Sequence, residues 1–232
     1  MSRLVAFVVP AAELTYSRHV SMPVSIPGSP YSAIILSGGR AARLGGVDKT
    51  DLAVAGTTLL ARVLAAVADA EEIVVSGPRT AHEVEDEDDR ICWVLEDPPD
   101  GGPVAGIAAA LTQVSAPSVV ILAGDLPFAA GIPPVLLQSL ADAPDADAVV
   151  PRDEHGWWQP LAAAYRTDAL REALGALGSP HGLSARTLLS HLKVIALRVE
   201  DLPPDSLLDV DTQADLDAAR NRHRQRRSPG AH

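Results

Sequence analysis

Apolar and polar positions divide the chain into two kinds of segment that alternate. Short apolar runs such as residues 33–36 and 118–123 have the length and composition of buried strands, and turn-forming residues follow them. Between the runs, apolar residues recur every three or four positions, as in residues 59–67, which is the spacing of a helix packed against a sheet. The alternation predicts an α/β fold in which helices cover a mostly parallel sheet.

The same pattern predicts the individual elements. Strands are expected at residues 33–36, 72–76, 91–95, 118–123 and 146–150, in a run ending at residue 165, and at residues 194–199. Helices are expected at residues 59–67, 104–114, 132–141, 166–177 and 183–192, and after residue 211.

Both ends of the chain have compositions typical of residues outside a packed domain. Residues 1–30 contain several prolines without a sustained period, and we expect them to form a disordered extension. Residues 223–232 are expected to form a basic, flexible tail. The folded domain is therefore expected to span residues 31–222, a length that suits one α/β domain.

Composition and charge narrow the possible functions. The chain of 232 residues has a formal net charge of −11, which disfavours binding to nucleic acid or to anionic membranes. Its one cysteine, Cys92, lies in an apolar run, so a core position is expected and a disulfide within one chain is excluded. Apolar runs are all too short to cross a membrane, and we expect a cytoplasmic protein.

The loop after the first strand concentrates glycines and cations. Within S-G-G-R-A-A-R-L-G-G-V-D-K, glycines let backbone N–H groups approach a ligand, and cations can neutralise a polyphosphate. The spacing matches neither a P-loop nor a dinucleotide-binding fingerprint. The alternative is a surface loop with solvated arginines, but strand, glycines and cations together favour a triphosphate site. The residues concerned are Gly38, Gly39, Arg40, Arg43, Gly45, Gly46 and Lys49.

The spacing L-x-G-G-x-x-x-R-L-G-x-x-x-K, from Leu36 to Lys49, resembles the signature of nucleotidyltransferases with a Rossmann-like sheet. It is most similar to that of the molybdenum cofactor guanylyltransferases. The resemblance implies a three-layer α/β/α nucleotidyltransferase domain and a catalytic role for Arg43 and Lys49 at the phosphates of the nucleotide. It also implies nucleotide contacts from Leu36, Ser37, Gly38 and Gly39.

A second glycine-rich segment precedes the helix predicted at residues 104–114. Pro103 suits a first helical turn, and a helix N-terminus favours an anion. The plain alternative is an ordinary strand-to-helix connection. The segment resembles the family's G-P-[LV]-A-G sequence, which implies that Gly102, Pro103 and Gly106 line the nucleotide site.

Two acidic motifs suggest a metal site. Asp125 follows the strand at residues 118–123, where an open α/β sheet binds its ligands, although it could instead cap the next helix. It resembles the metal-binding aspartate of the family's D-x-P motif, which implies a catalytic Asp125 that binds Mg²⁺ and nucleotide. The segment L-D-V-D-T resembles the family's N-x-N-T motif with aspartates at both asparagine positions, and Asp211 is expected to be a second metal ligand. Either Asp211 or Thr212 can cap the last helix.

The acceptor site is assigned through the resemblance alone. The W-W-Q-P-L segment is similar to the family's segment facing the second substrate, which implies that Trp158 and Gln159 contact a pterin and that Arg186 faces the acceptor phosphate. The tryptophans could equally serve in packing, and Arg186 could be a solvated helix residue. His181 is expected to be a turn residue and not a general base.

The resemblance implies transfer of GMP from GTP to the terminal phosphate of molybdopterin or its molybdenum form, with Mg²⁺ and release of pyrophosphate. Expected partners are these substrates, other proteins of molybdenum cofactor biosynthesis and acceptor molybdoenzymes. The D-x-D motif is similar to that of the cytidylyltransferase and phospholactate branches. Four alternatives stay open: a molybdopterin cytidylyltransferase, a phospholactate guanylyltransferase, a sugar-1-phosphate nucleotidyltransferase and an inactive nucleotide-binding module.

Overall fold

The computed structural model describes residues 30–38, 43–44, 47–78 and 88–227, with the backbone alone at 43, 44, 47, 48 and 50. Residues 1–29 of the predicted N-terminal extension lie outside these residues. The strands are β1 (Tyr31–Leu36), β2 (Arg43–Leu44), β3 (Val47–Asp48), β4 (Ala53–Val54), β5 (Thr57–Thr58), β6 (Glu72–Ser76), β7 (Ile91–Val94), β8 (Ser118–Ala123), β9 (Ala148–Arg152), β10 (Ala162–Arg166) and β11 (Val194–Arg198). The α-helices are α1 (Leu59–Ala66), α2 (Pro103–Leu111), α3 (Ile132–Ala141), α4 (Thr167–Leu177), α5 (Ala185–Leu189) and α6 (Gln213–Arg227).

Within the described residues, the main sheet has seven strands in the order β11-β9-β10-β8-β1-β6-β7. Strand β10 runs antiparallel to β8 and β9, and the other neighbouring pairs are parallel. Leu36 pairs with both Ser76 and Ala123, so the carboxyl ends of β1, β6 and β8 lie level with one another. We call this side of the sheet the carboxyl edge. The hairpins β2-β3 and β4-β5 form separate two-stranded sheets.

Helices cover both faces of the main sheet because its central strands are apolar on both sides. Ile34 and Ile35 point to opposite faces, and both are fully buried. Helices α1 and α3 pack on the face of Ile35, whereas α2 and α4 pack on the face of Ile34. The predicted three-layer α/β/α architecture with a mostly parallel sheet is confirmed. None of the helices in the described ranges is long and apolar enough to cross a membrane.

Most predicted elements are present, with small differences at their ends. Strands β6 and β8 and helix α3 begin and end at the predicted residues. The strand predicted at residues 146–150 is shifted by two residues, because Ala146 closes a turn by donating to the carbonyl of Ala143 at 3.0 Å. Cys92, which was expected in the core, lies in the edge strand β7 and is partly exposed.

The C-terminal region differs from its prediction. Helix α6 continues to Arg227, so residues 223–227 are helical where a flexible tail was expected. The contacts of Arg226 explain the difference: its Cζ atom lies 4.3 Å from the centroid of the Phe128 ring, and its guanidinium pairs with Asp205 at 3.0 Å. Such contacts stabilise a helical turn that an isolated basic segment would not keep.

A small apolar cluster lies apart from the two large ones on the faces of the sheet. It joins the hairpin β4-β5, the loop after β8 and the region around the start of α6, and we call it the satellite cluster. Because these segments carry or adjoin Lys49, Asp125 and Asp211, the satellite cluster fixes the surroundings of the predicted site. Its buried members are Val54, Leu59, Phe128, Val210, Leu216 and Ala219.

Candidate functional site

Backbone hydrogen bonds hold the loops together at the carboxyl edge. The amide of Ser37 donates to the carbonyl of Ser76 at 2.8 Å, and the amide of Gly124 donates to the carbonyl of Leu36 at 2.9 Å. These bonds extend the parallel pairing beyond the strand ends. The start of the predicted phosphate loop therefore lies beside Asp125, where an open α/β sheet binds its ligands.

Gly77 sets how closely the loop after β6 approaches the phosphate loop. A Cβ atom at this position would lie 1.3 Å from the carbonyl oxygen of Ser37, and the φ of Gly77 is +151°. Gly38 also has a positive φ, +143°, and a Cβ there would lie 3.2 Å from Cδ of Pro78. The sequence analysis assigned Gly77 no role in the site, because the contact with Ser37 is made between distant parts of the chain.

Helix α2 begins at the predicted Gly-Pro segment. Gly102 is the N-cap residue with a φ of 85°, Pro103 follows in the first turn, and no side-chain hydrogen bond caps this end among the described residues. Gly106 is buried against the sheet, where a Cβ would lie 2.9 Å from Oγ of Ser76 and 3.3 Å from Cδ2 of Leu36. Helix packing thus accounts for Gly106, and its contact with a nucleotide stays a prediction.

Lys49 is held next to the C-terminal acidic motif. Its side chain is nearly buried at the start of a short 3-10 turn, and its ammonium donates a hydrogen bond to Asp211. Asp211 is available for this contact because Thr212 caps α6: the hydroxyl of Thr212 accepts from the amide of Asp215 at 3.3 Å, and Asp215 accepts from the amide of Thr212 at 2.7 Å.

Asp125 lies close to the same carboxylates. Its carbonyl accepts a hydrogen bond from the amide of Val210 at 3.2 Å, which ties the loop after β8 to the acidic motif. Burial, and then the charges of Asp209 and Asp211, raise the pKa of Asp125 from 3.8 to about 6. Burial and the charge of Asp211 also raise the pKa of Asp209. Asp125 does not cap α3, which begins after Gly131.

These carboxylates suit a divalent cation that is also held by a substrate. Asp125 lies near enough to Asp209 and Asp211 for their charges to raise its pKa, and Lys49 pairs with Asp211, so negative charge is in excess here. In the described part of the chain, no three acidic, histidine or cysteine side chains are grouped as a metal site. Mg²⁺ is usually bound by one or two carboxylates together with water and substrate phosphates, and Asp125 and Asp211 fit that pattern.

The predicted acceptor residues lie on a turn between β9 and β10 and on α5. The guanidinium of Arg152 stacks on Trp158 at 3.9 Å, and that of Arg186 stacks on Trp157 at 4.7 Å. Trp158 also packs against the apolar cluster on the Ile34 face, whereas Trp157 is 55% exposed. Arg186 is thus joined to the turn through Trp157, the tryptophan to which the sequence analysis assigned no acceptor contact.

Gln159 is fixed by the same turn. Its side-chain amide donates to Asp153 at 2.9 Å, and its backbone amide donates to the carbonyl of Pro151 at 2.9 Å. Desolvation of Asp153 raises its pKa, but hydrogen bonds from Trp157, His155 and Gln159 outweigh it and hold that pKa below its usual value. A contact between Gln159 and an acceptor stays a prediction.

A cleft of about 470 Å³ opens between α2, the loop after β7 and the loop after α4. His181 Nε2 lies 3.2 Å from the carbonyl of Pro98, and the amide of Gly182 donates to the carbonyl of Gly101 at 2.7 Å. His181 therefore supports the turn that leads into α2, in line with its predicted role as a turn residue. Sequence reasoning missed this cleft, which is lined by Glu96, Asp97, Pro98, Ala105, Ala108, Ala109, Ser179, Pro180 and His181.

Part of the predicted phosphate loop lies outside the described residues, namely Gly39, Arg40, Gly45 and Gly46. Arg43 is described in its backbone, which pairs with Asp48 in the hairpin β2-β3. The contacts of these residues with phosphate stay predictions.

Comparisons with known proteins identify the family to which this chain belongs. Residues 33–195 match the family model of the MobA-like NTP transferase domain. A probable molybdenum cofactor guanylyltransferase from Natronomonas pharaonis is 36% identical over 208 residues, which cover 82% of this chain and 97% of that protein. The molybdenum cofactor guanylyltransferase of Acidiphilium cryptum is 34% identical over 205 residues, which cover 83% of this chain and 95% of that protein.

Solved structures share the fold. The crystal structure of molybdopterin-guanine dinucleotide biosynthesis protein A from Archaeoglobus fulgidus superimposes with a TM-score of 0.62 at 24% identity, covering 84% of this chain and 99% of that one. That of 2-C-methyl-D-erythritol 4-phosphate cytidylyltransferase from Thermus thermophilus gives 0.59 at 23% identity, with coverage of 84% and 99%.

Proposed function

Because this chain belongs to the MobA-like NTP transferase family, we propose that it transfers GMP from GTP to the terminal phosphate of molybdopterin or its molybdenum form. The products are pyrophosphate and a guanine dinucleotide cofactor. The observation that carries the proposal is the pairing of Lys49 with Asp211 beside Asp125, next to a glycine loop at the carboxyl edge. Relatives that cover most of the chain, and are named guanylyltransferases, support guanine as the base.

The proposed reaction is an in-line displacement at phosphorus. An oxygen of the acceptor phosphate attacks the α-phosphorus of GTP and forms a new P–O bond. The bond from the α-phosphorus to the oxygen that bridges it to the β-phosphorus breaks, and its electron pair leaves with pyrophosphate. A phosphate monoester is already anionic near neutral pH, so no strong base is needed, and the barrier lies in bringing two anions together.

Residues of the chain would lower this barrier by charge and position. Lys49 and Arg43 would hold the β- and γ-phosphates, and the N-terminus of α2 would add backbone N–H groups. Asp125 and Asp211 would hold Mg²⁺, which when bound neutralises phosphate charge. The contact of Lys49 with Asp211 keeps the ammonium oriented before the nucleotide binds.

The cleft beside α2 offers a physical reason for guanine selection. Its carboxylates, Glu96 and Asp97, accept hydrogen bonds, and the Watson–Crick edge of guanine presents the N1–H and N2–H₂ donors. Cytosine has only its N4–H₂ donor on that edge.

We propose the cytoplasm as the location, with acceptor molybdoenzymes as the recipients of the product.

The direct test is pyrophosphate release with molybdopterin, Mg²⁺ and either GTP or CTP. Release that depends on both GTP and molybdopterin, and that is faster than with CTP, is the expected result. A preference for CTP would instead identify a cytidylyltransferase. Tight GTP binding without release would mean a different acceptor or a binding module, and it would overturn the proposed reaction.

We expect Lys49→Ala to lower the turnover by about 100-fold, because it removes one cation from the developing pyrophosphate charge. The fold should be little affected, since the partner Asp211 has a side chain that is 61% exposed and can be solvated. The measurement is pyrophosphate release together with thermal unfolding. Lys193→Ala, which changes the exposed second lysine of the chain, is the matched control and should behave as wild type. Unchanged turnover in Lys49→Ala would remove this lysine from the mechanism.

A further inference from the structure

The proposed site is assembled from two parts of the molecule. Lys49 begins a segment that continues into the hairpin β4-β5, which forms a sheet of its own. Asp125 and Asp211 lie in loops at the carboxyl edge of the main sheet. No strand pairing joins the two parts within the described residues. Contacts between side chains and loops must therefore set the distance from the ammonium to the carboxylates.

Helix α6 contacts both parts of the site. The Nε and Nη2 atoms of Arg220 donate to the carbonyl oxygen of Ala53 in β4 at 3.2 and 3.1 Å. Further along the same helix, Arg226 stacks on Phe128, which lies in the loop after β8 that also carries Asp125. The satellite cluster fills the space between these polar contacts. Helix α6 thus joins the two parts, in addition to α1, which follows the hairpin and packs on the main sheet.

We propose that Arg220 is a positioning residue, which holds Lys49 beside Asp125 and Asp211 by tying β4 to α6. This inference rests on the proposed function, because it assigns a role within the same site. A guanidinium suits the task because its planar, rigid donors can direct two N–H groups at one carbonyl, whereas a lysine offers one flexible ammonium. Since Arg220 bonds to the backbone of β4, it acts through Lys49 and not on the substrate.

Arg62 provides a matched comparison in the same strand. Its Nε donates to the carbonyl of Val54 at 3.2 Å, so adjacent carbonyls of β4 each accept from one arginine. Arg62 belongs to α1, the helix that directly follows the hairpin, and its contact stays within one local unit. Loss of either arginine removes a guanidinium from β4, but only loss of Arg220 removes hydrogen bonds between β4 and α6 and leaves the apolar contacts of the satellite cluster as their link.

The first test compares kcat and KM for GTP in Arg220→Ala, Arg220→Lys and Arg62→Ala. Because small displacements of catalytic groups are costly, we expect kcat to fall by about 30-fold in Arg220→Ala, with KM within about threefold. Arg220→Lys keeps one donor and should recover part of kcat. Arg62→Ala should keep kcat within about twofold of wild type. Its thermal stability should fall by about as much as that of Arg220→Ala. Equal losses of kcat in Arg62→Ala and Arg220→Ala would show that Arg220 has a structural role and does not position Lys49.

The second test does not depend on activity. Lys49 and Lys193 are the two lysines of the chain, and Lys193 is exposed, so it serves as an internal reference for acetylation followed by mass spectrometry. If Arg220 holds Lys49 in place, the ratio of acetylation at Lys49 to that at Lys193 should rise by about fivefold in Arg220→Ala. The ratio should stay unchanged in Arg62→Ala. An unchanged ratio in both variants would overturn the positioning role.

The two tests separate the inference from the proposed function. If wild type releases pyrophosphate from GTP but Arg220→Ala matches Arg62→Ala in kcat and in acetylation, the positioning role fails and the proposed function stands. If wild type releases none while acetylation of Lys49 rises only in Arg220→Ala, the proposed function fails, and Arg220 is shown to position Lys49 without serving this reaction.

Discussion

Asp125→Asn should lower the turnover by about 1,000-fold or more, because it removes the carboxylate that we propose holds Mg²⁺ at the phosphates. The same substitution should stabilise the metal-free protein. Burial and the neighbouring charges of Asp209 and Asp211 raise the pKa of Asp125 from 3.8 to about 6, so its charged form is disfavoured in the folded state. A shift of this size corresponds to at most about 3 kcal/mol of folding free energy at neutral pH.

The sign of this effect gives a pH dependence. Above pH 6, Asp125 is charged in both the folded and the unfolded protein. The folded protein is then destabilised by the full free-energy cost of burying this charge beside Asp209 and Asp211. As the pH falls from about 6 to 4, the folded protein takes up a proton first, and the stability of wild type rises relative to the variant. Below the ordinary pKa of 3.8 the carboxyl is neutral in both states and the difference vanishes.

Urea unfolding with EDTA at several pH values measures this difference. The stability advantage of Asp125→Asn should be largest above pH 6 and should shrink towards pH 4. Asp145→Asn changes an exposed aspartate in the loop before β9, at the opposite edge of the sheet, and is the control expected to alter neither turnover nor stability. A variant that is less stable than wild type at every pH would contradict the assigned electrostatics, and retained turnover would contradict the catalytic role.

Gly77→Ala should destabilise the protein by about 3 kcal/mol or more, because overpacking and backbone strain add at one position. The new Cβ would lie 1.3 Å from the carbonyl oxygen of Ser37, and the φ of +151° is one that side chains rarely adopt. Relief requires the backbone of the phosphate loop to move away from β6. GTP affinity should therefore fall even in the fraction that stays folded.

Gly175→Ala is the matched control for this substitution. Gly175 lies in α4, where a Cβ would meet nothing within 4 Å. Alanine there should stabilise the protein by up to about 1 kcal/mol through its higher helix propensity. Urea unfolding and GTP titration distinguish the two variants. Wild-type stability in Gly77→Ala would mean that the two loops are not as close as the structure has them.

The amino-acid sequence by itself determined the elements and their order. The apolar run of β8 and the helical spacing of α3 predicted both elements to the residue, because the period of burial is a local property of the chain. The sequence also placed Asp125 at the end of a parallel strand, and resemblance to a family assigned it a role. It failed for residues 223–227, where Arg226 contacts Phe128 and Asp205 outside its own segment.

The tertiary structure alone decided which distant residues meet. The ammonium of Lys49 and the carboxylate of Asp211 are 162 positions apart in the chain, and Arg220 and Ala53 are 167 apart. The requirement for glycine at position 77 arises only because β6 is paired in register with β1. Local patterns specify which side chains are buried, whereas these contacts follow from strand order and register, which depend on packing across the whole sheet.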